Sequence, residues 1–147
     1  MQSLTAILSL LSLTAAASLP KRAGGPAIIP LPADCPVTSP TSELSESSTG
    51  GYKPSDAAMG ANVYYYYNPN VNFTQCQEQC YGLSGCTSVF KAANAPTPAG
   101  GYYGAGGVLE EACLMFSRYL TTDDFVEAQQ GQYTNVQSAN IGCAKPQ

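Results

Sequence analysis

Histidine and tryptophan are both absent from the 147 residues. Without an imidazole the chain cannot build a Ser-His-Asp or Cys-His nucleophile, or a histidine metal site, and most hydrolase chemistry falls away. Charge is scarce too. Charged residues make up 11% of the chain, six Lys/Arg against ten Asp/Glu, for a net charge of -4. No basic patch is available to neutralise phosphates, so no nucleic-acid partner is expected. Long hydrophobic runs are missing as well: the apolar stretch Leu4 to Leu13 is too short to span a bilayer. The neighbouring carboxylates Glu110-Glu111 and Asp123-Asp124 diverge in direction, which makes them poor glycosidase acid/base pairs. Asp123-Asp124 also lacks the spacing of an EF-hand loop, and the glycines of 100–107 lead into no Lys-Ser/Thr phosphate cradle. The residues therefore point to no catalytic group, no metal and no cofactor.

What the chain does have is an apolar leader, six cysteines and ten tyrosines. Residues 1–17 read as a signal peptide, with Thr14-Ala15-Ala16-Ala17 offering a small-residue cleavage site. Residues 18–22 read either as a short propeptide or as a stretch with a chance basic pair; Lys21-Arg22 resembles the kexin-type processing site of fungal secretory precursors. Removing both segments leaves four Lys/Arg against ten Asp/Glu, a net of -6. An even cysteine count behind such a leader reads as a disulfide framework rather than a zinc or redox site. Secretion is expected. With no apolar tail in 144–147, no glycosylphosphatidylinositol anchor is expected.

Residues 23–34, rich in Pro and Gly, are expected as an extended linker without a core of their own. Asp34-Cys35-Pro36 opens the domain, and Thr38 to Thr49 is a Ser/Thr tract suited to a solvated loop. Asn62 to Tyr67 (NVYYYY) has strand composition, placing Tyr64 and Tyr66 on one face and Tyr65 and Tyr67 on the other. One pair should lie against the core, and the other is expected to be covered by a neighbouring loop, with an exposed aromatic strip as the alternative. Thr74 as N-cap, with Gln77 as its capping-box partner, predicts a helix from Gln75 to Tyr81 stopped by a left-handed Gly82. Cys76 and Cys80 then share one helix face. Cys86 to Lys91 and Ala112 to Phe116 read as a hairpin whose long, mobile loop, Ala92 to Gly107, displays Tyr102 and Tyr103 between glycines. Thr121 or Thr122 should cap a short helix over 123–130, and a last strand should lead from Gln132 toward Ile141 before Cys143 closes the domain. Asn72-Phe73-Thr74 is the one N-glycosylation sequon.

The run Cys76-x3-Cys80-x5-Cys86, then Thr87-Ser88-Val89-Phe90, then Cys113-Leu114-Met115-Phe116-Ser117, resembles the PAN/apple domain, over roughly Cys35 to Cys143. The resemblance implies an α+β fold, a small disulfide-stapled domain with an antiparallel sheet packed against one short helix. It also implies the pairs Cys35 with Cys143, Cys76 with Cys113 and Cys80 with Cys86. The long Gly/Ala/Pro hairpin loop and the long stretch before the helix depart from the family pattern. By this resemblance the chain is a non-catalytic extracellular module for a glycan or protein ligand, with a secreted effector or inhibitor, or a structural wall protein, as alternatives. Contact residues are then sought among Tyr64, Tyr65, Tyr66, Tyr67, Tyr102 and Tyr103, because rigid aromatics give contact area where charges are few.

Overall fold

The computed structural model describes residues 25–45, 50–67 and 70–146. The leader over 1–17, the 18–22 segment with Lys21-Arg22, the first residues of the 23–34 linker, the 46–49 part of the Ser/Thr tract and Gln147 lie outside the described residues. The strands are β1 (Val37–Thr38), β2 (Tyr52–Pro54), β3 (Asn62–Tyr67), β4 (Ser88–Pro96), β5 (Leu109–Phe116), β6 (Phe125–Glu127) and β7 (Thr134–Ile141). The helices are the single turn α1 (Asp56–Met59) and α2 (Phe73–Gly82). Five strands form one antiparallel sheet in the order β1-β7-β4-β5-β3, and β2 and β6 form a separate antiparallel ribbon. The fold is α+β, a small disulfide-stapled domain.

Strand alternation divides the core into two layers. On one face Val89, Cys113, Met115, Ala139 and Ile141 pack with Cys76, Cys80 and Tyr81 of α2. On the other, Phe90, Ala92, Leu114 and Phe116 pack with Leu120, Ala58 of α1 and Phe125 of β6. The sheet thus lies between a helix and a two-stranded ribbon. Disulfides join Cys35 to Cys143, Cys76 to Cys113 and Cys80 to Cys86, the pairs implied by the family resemblance, and no described cysteine is free.

Several expectations are corrected by tertiary contacts. The helix begins earlier: Asn72, not Thr74, is its N-cap, and Gln75, not Gln77, completes the capping box. Gly82 is the last helical residue rather than a left-handed stop. It is needed because a Cβ there would meet the Ala27 carbonyl oxygen at 2.7 Å and the Ile29 side chain at 3.1 Å. The linker is accordingly docked: Ile29 and Leu31 pack on the helix-side core, and the Ile29 N–H donates to the Glu78 carbonyl at 3.3 Å. The helix expected over 123–130 is instead a 3-10 turn, Thr122–Asp124, followed by β6. Asp124 explains the difference, because its carboxylate is held by Arg118 at 2.6 and 2.8 Å and by the Thr121 N–H at 2.8 Å. Phe125 then enters the core, stacked on Phe90 at 5.8 Å.

The hairpin is also tighter than its composition suggests. β4 and β5 run on to Pro96 and from Leu109, so the connection shrinks to 97–108. Thr97 ties it shut: its N–H donates to the Val108 carbonyl, its carbonyl accepts from Gly107 and its hydroxyl accepts from the Val108 N–H. A 3-10 turn over Gly101–Tyr103 fills the tip.

Candidate functional site

β3 is an edge strand, paired with β5 on one side only. Its four tyrosines alternate as expected, with Tyr64 and Tyr66 rings 6.2 Å apart and Tyr65 and Tyr67 rings 6.3 Å apart. Burial does not follow the faces, however. Tyr66 is buried and Tyr67 half-buried, while Tyr64 and Tyr65, one from each face, are exposed. Exposure runs along the strand because α2 and the hairpin loop cover only its second half. The Tyr66 hydroxyl donates to Gln79 Oε1 on α2. Burial raises the Tyr66 phenol above its ordinary value, against the opposing pull of that hydrogen bond. Tyr67 is raised by burial first and by the neighbouring phenols Tyr133, Tyr103 and Tyr65 next.

The 97–108 loop folds back onto this edge. Tyr103 packs edge-on against Tyr67 at 5.2 Å, and its hydroxyl accepts the Tyr67 N–H at 3.2 Å. Tyr102 packs against Tyr103 at 5.4 Å yet remains 96% exposed. The two loop tyrosines therefore differ: Tyr103 is a structural clasp, and Tyr102 is a projecting ring. Between loop and strand lies an open groove of about 660 Å³, lined by Asn62, Val63, Tyr64, Tyr65, Tyr102 and Tyr103 with small residues of the loop tip. Tyr65 and Tyr103 are inclined by 34° at 6.5 Å, forming a shelf rather than a slot.

No side chain lining the groove carries a charge. Asn62 was not legible as a lining residue. Its Nδ2 donates to the carbonyls of Tyr64 and Met115 at 3.1 and 3.0 Å, where the β3–β5 register shifts, and so it shapes the mouth of the groove. The carboxylate pairs lie elsewhere, and one member of each is ion-paired: Asp124 with Arg118, and Glu111 with Lys91 at 3.4 Å. No group of three or more His, Cys, Asp or Glu suited to a metal ion occurs among the described residues, and no helix there is long and apolar enough to cross a membrane. A second depression of about 510 Å³ opens among Thr41, Leu44, Tyr52, Tyr133 and Asn135. It offers two tyrosines where the β3 groove offers four.

Fold and groove together define a disulfide-stapled α+β domain with an uncharged aromatic shelf at a sheet edge. Compared with known proteins, the chain matches no family model, no curated protein and no solved structure.

Proposed function

We propose that the chain is a secreted, non-catalytic binding module of the PAN/apple type, and that its β3 groove takes an uncharged oligosaccharide. One observation carries this reading: four tyrosines line a groove that has no charged side chain. A tyrosine ring presents an apolar face to the C–H side of a sugar ring and a hydroxyl to the sugar's own hydroxyls. The edge strand is also poorly suited to receive a peptide strand, because the Tyr67 N–H is already taken by the Tyr103 hydroxyl. The leader and the three disulfides support an extracellular location. A protein ligand is the second reading, favoured by Val63, Val108 and Leu109, which are large apolar residues left exposed. A glycan array probed with the secreted, oxidised protein separates the two. Signal confined to neutral glycans is expected, whereas binding only to acidic glycans, or to none, would reject the oligosaccharide reading.

A further inference from the structure

We propose that Asn72 carries an N-linked glycan on Nδ2 while its Oδ1 goes on capping α2, so that one side chain serves modification and fold together. Asn72-Phe73-Thr74 is the only sequon in the chain, and both Asn72 and Thr74 are exposed. The two ends of the Asn72 amide have separate tasks. Oδ1 accepts the Gln75 N–H at 2.8 Å, and the Asn72 backbone N–H donates to Gln75 Oε1 at 3.2 Å. Nδ2 donates to no described residue, and Thr74 makes no side-chain hydrogen bond among them.

N-glycosylation joins Nδ2 to the anomeric carbon of an oligosaccharide carried on a polyprenyl diphosphate. The anomeric C–O bond breaks, the diphosphate leaves with its electron pair, and one Nδ2 proton is released. No oxidant or reductant is needed. The product is still an amide whose carbonyl oxygen keeps its lone pairs, so the Gln75 N–H keeps its acceptor. Asn72 caps α2, which packs on one core layer, whereas Tyr67 packs with the opposite layer.

This inference rests on secretion but not on what the groove binds. The test is the full chain secreted from a eukaryotic host, its intact mass measured before and after peptide-N-glycosidase. A mass loss with conversion of Asn72 to Asp is expected. Thr74→Ala should remove the glycan and leave the thermal midpoint in place. Asn72→Asp should do the same, since a carboxylate also caps, whereas Asn72→Ala should lower the midpoint by about 3 to 6 °C through loss of the cap. Disulfide-bonded protein in the medium with no mass loss would overturn the site and leave secretion standing. Thr74→Ala falling as far as Asn72→Ala would overturn the separation of cap from glycan. Retention in cells with unpaired cysteines would overturn the secretion on which both depend.

Discussion

At the scale of single residues, Asp124 organises more of the chain than its acidic label suggests. The Arg118 guanidinium bonded to it lowers its carboxyl from 3.8 to about 2, against the opposing effect of burial and helped by the Thr121 N–H. The folded state therefore keeps Asp124 ionised where the unfolded chain would protonate it. Its stabilisation is complete above about pH 4 and is lost as pH falls through about 2. Because Arg118 is partly exposed, solvent screens the pair and the contribution is well below what the full shift would imply. Denaturant midpoints measured from pH 5 to pH 2 should fall, and Asp124→Asn should be less stable at pH 5 yet show a shallower fall. An equally steep fall in the variant would remove Asp124 from this role. Gly51 is the most confined of the described glycines: a Cβ there would lie 1.4 Å from the Tyr133 carbonyl oxygen. Gly51→Ala should cost roughly 2 to 4 kcal/mol in urea unfolding, since the obstacle is backbone and cannot rotate away. A loss under 1 kcal/mol would show that the β2 approach gives way.

Among the elements, the hairpin and α2 separate what periodicity reveals from what only packing decides. Cys76 and Cys80 at i and i+4, followed by Cys86, put a helix and its exit turn where α2 and Gly85 stand, and Val89-Phe90 of β4 and Ala112 to Phe116 of β5 marked the sheet centre. The ends were hidden because Ala93 and Pro96 are poor strand formers kept extended by pairing with β7 and β5, while Asn94 turns left-handed at φ 53° between two register shifts. β6 was hidden for the same kind of reason: Phe125 is extended by the core and by β2, against an acidic start that favours a helix. The alternation of Tyr64 to Tyr67 was legible, but their order of burial depends on a loop that arrives from 36 residues away. That loop gives its two tyrosines opposite fates. Tyr103→Ala should lower stability by about 1 to 3 kcal/mol in thermal or urea unfolding, losing a ring contact and the acceptor of the Tyr67 N–H. Tyr102→Ala should leave stability nearly unchanged. Equal stability of the two variants would mean that the clasp does not hold.

Across the whole molecule, covalent staples compensate for a small core. On the chain-entropy estimate, closing the loops of Cys80–Cys86, Cys76–Cys113 and Cys35–Cys143 is worth about 2, 4 and 5 kcal/mol, nested and so not additive. These magnitudes rival the ~5 to 15 kcal/mol net stability of a domain. Replacing Cys76 and Cys113 together by Ala should therefore cost more in thermal stability than replacing Cys80 and Cys86. That rank also follows the architecture, since only the first pair bolts α2 to β5. The groove is held by this frame and needs little of its own. With Tyr102 projecting from the loop and Tyr65 from the strand, the proposed ligand would meet aromatic faces in a groove lined by no charged side chain. The most direct measurement is calorimetric titration of the wild type and Tyr102→Ala with the best neutral oligosaccharide from the array, at low and high salt. A loss of about tenfold in the variant is expected, equivalent to about 1.4 kcal/mol, at unchanged thermal midpoint and with wild-type affinity insensitive to salt. Equal affinity in the two proteins, or wild-type binding that collapses in salt, would contradict an uncharged glycan held on the tyrosine shelf.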